Sequence, residues 1–313
     1  MRILLIRRGA LGDVIVTIPL LLNLRRIYPE SFIEVVGDRI YWSITLPWLV
    51  NKITDKEAAP VNDLYSSHSL SNDSEEYYRG FNLIIGFVSN TDDIKHKLIQ
   101  CGIHNVVLKE PFSDSGHIID YTNTALEEID TEVDKIKYPK IEFETDEITN
   151  AMSRLTVSDG SEKHIAIHPR TYGIKGLPIG IYIELANYIK NKSKAGVVWV
   201  IGPAEKEYLG QLEDIFGRIS VLRLTNLKIL AAVISQMDLY FGCDTGISHM
   251  SAATNVNSII LFGPTDPYVW GPRGENVQIL KTSLLEDIDT ACLKDIILNS
   301  IDKKIGITQV KKI

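Results

Sequence analysis

Two short segments far apart in the chain carry residues that suit chemistry on a phosphorylated substrate. The later one, Asp244-Thr245-Gly246, lies between an apolar run ending at Cys243 and a predicted small-residue helix that contains His249. Gly246 lets backbone approach a ligand, Thr245 offers a hydroxyl and His249 can donate to a bound oxyanion. A helix N-terminus attracts anions, but its dipole contributes only about 0.3–2 kcal/mol. Diphosphate binding here therefore predicts a cation nearby.

The same residues also have an ordinary structural interpretation. Asp244 or Thr245 can simply cap the helix, and His249 can pack in the core. The following segment favours a functional loop, because residues 262–267 and 270–272 concentrate Gly, Pro and aromatic residues behind a buried strand. Rigid, shaped loops of this kind commonly carry function.

A cation for such a phosphate is present upstream, in residues 169–178. Lys175 lies just before a helix predicted from 178 to 192, so we expect it at the same sheet edge as Asp244. The lysine ammonium suits phosphate oxygens, and the guanidinium of Arg170 can bridge two of them. A solvated surface lysine is the ordinary alternative.

Carboxylates after another predicted strand, residues 196–201, are candidates for ribose recognition. Glu205 follows Gly202 at the end of this strand, and Glu207 lies close behind it. Either carboxylate can accept hydrogen bonds from ribose hydroxyls, as happens in other nucleotide sites. Either is equally typical of a surface residue without a ligand.

The earlier segment, residues 7–13 (RRGALGD), turns from a predicted strand into a predicted helix. Asp13 at the helix start has two open roles. It can cap the helix, or it can be a general base held between Gly9 and Gly12, which leave room for a substrate. The spacing of the two glycines fits neither a dinucleotide fingerprint nor a P-loop.

Composition excludes several other classes of protein. The chain has 313 residues and a formal net charge of −7, which argues against a nucleic-acid partner. Cys101, Cys243 and Cys292 are widely spaced, so neither a disulfide framework nor a zinc site is expected, and the compartment is expected to be reducing. No carboxylate cluster has metal-ligand spacing, and no apolar run reaches the ~18–20 residues of a spanning helix.

Strands and helices alternate along the chain, which predicts parallel sheets with helices on both faces. The charge-rich segment 130–147, broken by Pro139, is the predicted linker. We expect α/β architecture with two doubly wound Rossmann-like domains, residues 1–145 and 146–283. An amphipathic helix and a basic tail follow at residues 284–313.

Two stretches carry a resemblance to a known family. DTGISHMSAA at residues 244–253, followed by LFGPTDP and WGP, is similar to the C-terminal signature of the heptosyltransferases of lipopolysaccharide assembly, glycosyltransferase family 9. RRGALGDVIVTIPLLLNLRRIYP at residues 7–29 resembles the opening of that family. The resemblance implies a GT-B architecture, with two domains facing each other across a cleft and the helix of 284–313 packing back on the first domain.

The resemblance also implies roles for individual residues. Asp13 would be the base that accepts the proton of the acceptor hydroxyl. The family has a Lys before a Trp-Pro pair that contacts the donor diphosphate, and Lys175 matches it with Leu177 in place of the Trp. Lys175 is thus expected to be catalytic as well as donor-binding. The residue chemistry and the resemblance together give donor-binding residues that all lie in the second domain: Arg170, Lys175, Gly202, Glu205, Asp244, Thr245, Gly246 and His249.

By resemblance the protein is an inverting, metal-independent glycosyltransferase. It would move a heptose or related sugar from a nucleoside-diphosphate donor, ADP-heptose, to a lipopolysaccharide inner-core acceptor. Arg7, Arg8 and Gly12 would bind this acceptor, although the two arginines are also typical of surface charges beside a strand. No cofactor is expected beyond the nucleotide-sugar substrate. We expect a cytoplasmic monomer that binds a lipid-linked saccharide and makes a transient contact with the inner membrane.

Three alternatives stay open at this point. The chain can be a transferase of the same family with another donor or acceptor, a hydrolysing sugar-nucleotide epimerase, or a non-catalytic nucleotide-sugar binder. An epimerase would turn over the donor without an acceptor, whereas a binder would bind the donor without turnover.

Overall fold

The computed structural model divides the chain into two compact units. The first unit comprises Met1–Pro139 and the second unit Lys140–Ile313, so the division falls inside the predicted linker and ahead of residue 145. The structure describes residues 1–112, 116–129, 135–154, 160–170, 172–217, 221–222 and 226–313. Residues 130–134 of the predicted linker lie outside these ranges.

The first unit contains a parallel sheet. Its strands are β1 (Arg2–Ile6), β2 (Phe32–Gly37), β3 (Lys52–Asp55), β4 (Leu83–Phe87) and β5 (Val106–Lys109). Their order is β3-β2-β1-β4-β5, so the chain builds outward from β1 and then returns to its other side. The carboxyl ends of β1 and β4 therefore flank a topological switch point, where open parallel sheets bind ligands.

Helices cover the sheet of the first unit. Residues Ile3 to Ile6 of β1 are fully buried, as expected for a central parallel strand covered on both faces. The next helix begins after a four-residue loop and continues through Pro19. The helices are α1 (Leu11–Ile27), α2 (Arg39–Trp42), α3 (Ala59–Leu64), α4 (Asn72–Arg79), α5 (Thr91–Gln100) and α6 (Ile118–Asn123), with 3-10 turns at Ser43–Thr45 and Thr124–Ile129.

The second unit is built on a larger parallel sheet. Its strands are β6 (His164–His168), β7 (Gly196–Val200), β8 (Val221–Leu222), β9 (Leu239–Cys243), β10 (Ser258–Phe262), β11 (Val277–Lys281) and β12 (Gln309–Lys312). The order is β12-β11-β10-β9-β6-β7-β8, and each pair of neighbours is parallel. The switch point of this sheet lies between β6 and β9. The doubly wound α/β fold predicted from the sequence is thus present in each unit.

Helices also cover the second sheet. They are α7 (Thr145–Arg154), α8 (Ile179–Ser193), α9 (Leu209–Phe216), α10 (Leu227–Ser235), α11 (Gly246–Ala253), α12 (Pro267–Trp270) and α13 (Thr290–Ser300), with 3-10 turns at Pro203–Tyr208 and Leu285–Asp287. One core cluster joins the central strands to α8 and α13, and Trp199 lies fully buried within it.

The C-terminal segment differs from the prediction for residues 284–313. Leu293 and Ile297 on α13 are buried in the core cluster of the second unit, so the apolar side of this helix packs within that unit. The predicted basic tail is also partly ordered, because Lys311 and Lys312 belong to β12, which pairs with β11 at the sheet edge. Residues 284–313 are therefore part of the second unit.

A core truncation on α13 tests this placement. We expect Leu293→Ala to lower the free energy of unfolding of the second unit by about 2–5 kcal/mol, because it leaves a cavity among buried side chains. Urea denaturation followed by circular dichroism and tryptophan fluorescence measures the change. Asn299→Ala, at an exposed position of the same helix, is the control and should stay within about 0.5 kcal/mol of wild type. Equal small effects of the two variants would contradict the burial of α13.

Candidate active site

The first candidate site is a cavity of about 320 Å³ at the carboxyl ends of β1 and β4. Its wall is formed by the loops that follow β1, β4 and β5 and by the residues on either side of α3. The lining residues are Arg7, Arg8, Gly9, Asp13, Lys56, Glu57, Tyr65, Phe87, Val88, Ser89, Pro111 and Phe112. The cavity thus combines charged groups with aromatic surface, which suits a sugar bearing acidic substituents.

Asp13 caps a helix and also borders the cavity. Its Oδ2 accepts a hydrogen bond from Ala10 N at 3.0 Å, which caps α1, and its Oδ1 accepts from Arg7 Nη2 at 2.7 Å. The Asp13 side chain is 21% exposed and lines the cavity. A carboxylate held in this way can also accept a proton from a bound hydroxyl.

Gly9 makes this geometry of Asp13 possible. A Cβ atom added at Gly9 would lie 2.3 Å from the Asp13 carboxyl carbon, which is closer than real contacts allow. The loop between β1 and α1 therefore needs glycine at this position so that the carboxylate can fold back onto Ala10 N.

Replacement of this glycine provides a direct test. We expect Gly9→Ala to displace the Asp13 carboxylate and to reduce activity, with a loss of about 1–3 kcal/mol of stability from overpacking. Gly210→Ala is a matched control, because Gly210 lies on α9 with open space where a Cβ atom would be added, and it should gain stability on substitution. Thermal unfolding and turnover of both variants check this. Wild-type turnover by Gly9→Ala would contradict the proposed constraint on Asp13.

The two arginines of the first site differ from each other. Arg7, predicted to bind the acceptor, is only 2% exposed. Its guanidinium donates hydrogen bonds to Asp13 and, from Nη1 at 2.6 Å, to the Pro111 carbonyl. Burial lowers the pKa of Arg7, and the nearby Asp13 carboxylate opposes this shift. Arg8 is half-buried, lies 3.7 Å from Glu57 and faces the cavity. Arg8 is therefore the more accessible of the two arginines to a ligand in this cavity.

Gly12 and several residues absent from the sequence prediction complete the first site. Gly12 is the second residue of α1 and is not part of the cavity lining. Lys56, Tyr65 and Phe112 do line it, but they come from loops without a periodic pattern. Phe112 is exposed although it is large and apolar, and this signal becomes visible only in the structure.

The second candidate site lies at the switch point between β6 and β9. Lys175 Nζ, from the loop after β6, is 2.5 Å from Oδ2 of Asp244, which directly follows β9. Thr265, which follows β10, donates to the same oxygen at 2.7 Å. Asp244 is buried, whereas 32% of the Lys175 side chain is exposed. The structure thus brings together the cation and the turn that the sequence predicts at one sheet edge.

The helix after Asp244 begins with a conventional cap. Thr245 is the N-cap of α11, and its hydroxyl accepts a hydrogen bond from Ser248 N at 3.3 Å. Gly246 is the first residue of the helix. His249 is only 7% exposed, so its ring is mostly packed inside the unit, as in the structural interpretation of this residue.

Arg170 and Leu177 fix the loop that carries Lys175. The carbonyl of Arg170 accepts hydrogen bonds from Leu177 N and Tyr182 Oη, both at 3.0 Å. The guanidinium carbon of Arg170 lies 4.3 Å from the centre of the Tyr172 ring. Leu177 itself is fully buried in the core cluster, so the residue that replaces the Trp of the family pattern has a packing role.

Comparison with known proteins identifies the chain. The family model for glycosyltransferase family 9 (heptosyltransferase) matches residues 98–294. The chain belongs to glycosyltransferase family 9. The resemblance to this family is therefore confirmed, and the motif at residues 244–253 lies within the matched range.

Individual members of family 9 align over part of their length. Lipopolysaccharide heptosyltransferase 1 of Escherichia coli K12 is 28% identical over 125 residues, which cover 40% of this chain and 39% of that protein. The enzyme of the same name from Salmonella typhimurium LT2 is 30% identical over 113 residues, covering 36% of this chain and 35% of the relative. In these alignments the chain spans well under half the length of its curated relatives.

Solved structures in the family share the fold over almost the whole chain. E. coli ADP-heptose LPS heptosyltransferase II is 16% identical with a TM-score of 0.76, and the match covers 96% of this chain and 98% of that one. E. coli heptosyltransferase WaaC with ADP is 20% identical with a TM-score of 0.68, and the match covers 96% of this chain and 100% of that one. Both have the GT-B fold, which confirms the predicted fold class of this family 9 glycosyltransferase.

In the family 9 chain, the two carboxylates predicted as candidates for ribose binding differ in their exposure. Glu205, predicted to bind the donor, is only 2% exposed, and its Oε2 accepts from Gly202 N at 3.1 Å. Burial lowers the pKa of His168, and the Glu205 carboxylate opposes this shift. Glu207 is exposed. Glu205 therefore stabilises the turn after β7, and Glu207 is the carboxylate open to a ligand.

No group of three or more His, Cys, Asp or Glu side chains is arranged to hold a metal ion in the described ranges. In the same part of the chain, no helix has the length and apolar character needed to cross a membrane.

Proposed function

We propose that this protein is an inverting glycosyltransferase that moves a heptose from ADP-heptose to a lipopolysaccharide inner-core acceptor built on lipid A. The observation that carries the proposal is the Asp13 carboxylate, which is fixed on two sides and faces a cavity at the switch point of the first sheet. The donor is supported by the E. coli WaaC structures with ADP and with ADP-2-deoxy-2-fluoro heptose. The acceptor is supported by the names of the E. coli and Salmonella relatives.

On the acceptor side, Asp13 is the general base. It takes the proton of an acceptor hydroxyl while the hydroxyl oxygen attacks the anomeric carbon of the heptose in a single displacement, which inverts the anomeric configuration. Base catalysis of this type contributes about 10²–10⁴-fold to the rate. Arg8 is placed to bind an acidic group of the acceptor, because its guanidinium borders the cavity beside an aromatic ring, that of Tyr65.

On the donor side, the diphosphate leaves with the electrons of the broken glycosidic bond. Lys175 meets this growing negative charge together with the backbone N–H groups at the start of α11. A lysine ammonium has three donors, and the contact with Asp244 uses one of them. Asp244, whose Oδ2 also accepts from Thr265, thus holds Lys175 at the sheet edge and leaves donors for the phosphate oxygens.

The same arrangement supports transfer without a metal ion. Lys175 and the helix amides supply positive charge where the leaving group develops its negative charge, which is the task that a divalent cation performs in other transferases. We expect turnover to be unchanged after exhaustive treatment with EDTA. A loss of activity that Mg²⁺ or Mn²⁺ restores would contradict this part of the proposal.

We propose a cytoplasmic monomer that contacts the inner-membrane surface while it binds its lipid-linked acceptor. The membrane contact follows from the proposed lipid-linked acceptor, and Phe112 is an exposed apolar side chain that lines the cavity proposed to bind it. Co-sedimentation with vesicles that contain the acceptor lipid, compared with vesicles that lack it, measures the contact.

A binding and turnover panel tests the function as a whole. Calorimetry with ADP, UDP, GDP and CDP, followed by the corresponding sugars, should show tightest binding for ADP-heptose, and ADP release should require the acceptor. Turnover of the donor without acceptor would favour an epimerase, and binding without turnover would favour a non-catalytic binder. Tighter binding of another nucleotide sugar would indicate a family 9 transferase with a different donor.

A further inference from the structure

Arg7 is held rigidly in the first unit by its backbone. Its N–H donates to Val36 O at 3.0 Å, and its carbonyl accepts from Trp42 Nε1 at 3.1 Å. Trp42 is fully buried and packs so closely that a Cβ atom added at Gly37 would lie 2.2 Å from the indole nitrogen. The backbone of Arg7 is therefore fixed between β2 and a buried indole, independently of its side-chain contacts.

The guanidinium of Arg7 bridges Asp13 and the loop after β5. Nη2 donates to Asp13 Oδ1 at 2.7 Å and Nη1 donates to Pro111 O at 2.6 Å, while the guanidinium carbon lies 5.1 Å from the centre of the Phe87 ring. Its Nε is buried without a hydrogen-bond partner among the described residues. Burial of an arginine with one unsatisfied donor costs folding free energy. The role of an ordinary surface charge therefore does not explain why Arg7 is buried.

Among the described residues, Arg7 is the cation in direct contact with Asp13. The other cations of the cavity have their own partners, since Arg8 pairs with Glu57 at 3.7 Å and Lys56 with Asp38 at 3.3 Å. The phenols of Tyr65 and Tyr121 complete the titratable groups around this pair. The charge of Asp13 is thus balanced chiefly by Arg7.

We propose that Arg7 is a positioning residue for the Asp13 base, whose carboxylate it holds at the cavity in the geometry needed to accept the proton of the acceptor hydroxyl. This inference rests on the proposed function. A misplacement of about 1 Å can cost a catalytic group about 10²-fold in rate, and the hydrogen bond from Arg7 to Oδ1 opposes such a displacement.

The proton balance of the step is simple. The acceptor O–H bond breaks as the O–C bond to the sugar forms, the glycosidic C–O bond to the diphosphate breaks, and the proton resides on Asp13. Arg7 stays protonated throughout, and Asp13 returns its proton to water after product release. Arg7 therefore touches neither substrate nor proton, and acts through Asp13.

Substitution of Arg7 tests the proposal through separate effects on kcat and KM. In Arg7→Gln we expect kcat to fall on the order of 10²-fold from misplacement of the base, with little change in KM for the acceptor. Arg7→Lys keeps the charge but cannot reach both partners, so its kcat should lie between those of Arg7→Gln and wild type. Arg8→Gln is the matched control and should raise KM for the acceptor with a smaller change in kcat.

Circular dichroism and thermal unfolding confirm that each variant is folded. A wild-type kcat in Arg7→Gln, or a rise in KM for the acceptor without loss of kcat, would overturn the proposal. If Arg7→Gln does not fold, wild-type kcat in Arg7→Lys would overturn it. A wild-type protein without transfer activity would instead refute the proposed function.

Discussion

Asp13→Asn is expected to reduce the transfer rate by at least about 100-fold while leaving the affinity for ADP-heptose unchanged. The amide has nearly the size of the carboxylate and its oxygen can still accept from Ala10 N, so the cap of α1 is retained. It cannot accept the proton of an acceptor hydroxyl. Stopped assays of product formation measure the rate, and calorimetry with the donor measures the affinity.

Asp289→Asn is the matched control for this substitution. Asp289 also caps a helix, because its carboxylate accepts from Ala291 N and Cys292 N at the start of α13. The control should transfer sugar at the wild-type rate. Unchanged transfer by Asp13→Asn would remove Asp13 as the base, and equal losses in the two variants would reduce its role to capping.

Lys175→Ala is expected to weaken donor binding by roughly 10–100-fold, since a hydrogen bond to a charged group contributes about 1.5–3 kcal/mol. Two effects act in the same direction. The diphosphate loses an ammonium, and the buried Asp244 carboxylate loses its cation and then repels the phosphate. Calorimetric titration with ADP and with ADP-heptose measures the change.

A second substitution separates these two effects. Lys175→Ala combined with Asp244→Asn should bind ADP more tightly than Lys175→Ala alone, because the unpaired carboxylate is removed. Lys294→Ala, which breaks a lysine–carboxylate pair with Glu184 away from the site, should bind ADP as wild type does. Wild-type affinity in Lys175→Ala would exclude Lys175 from phosphate binding.

The sheet edges and the residues on them could be predicted from the sequence. Apolar strands that end in polar turns, as at Cys243 and Asp244, place those turns at the carboxyl ends of a parallel sheet, and β6 and β9 prove to be neighbours. This explains why Lys175 and Asp244 lie together in the structure. The contribution of Thr265 was not predictable, because it depends on the way the loop after β10 folds back.

Burial of charged side chains could not be predicted in the same way. Arg7 and Glu205 are residues of types that commonly bind ligands, but in the structure both side chains make hydrogen bonds within the protein. Burial depends on which loops pack over a side chain, and the loop at Pro111 is distant from Arg7 in sequence. For the same reason the amphipathic pattern of α13 indicates an apolar partner without specifying which unit supplies it.

The products of one reaction test inverting heptose transfer most directly. Wild-type protein is incubated with ADP-heptose and the inner-core acceptor, and the ADP, the glycosylated acceptor and its anomeric configuration are determined by chromatography and NMR. We predict ADP and glycosylated acceptor in equal amounts, with the configuration inverted relative to the donor. Donor consumption without glycosylated acceptor, or a product that retains the donor configuration, would contradict the proposed mechanism.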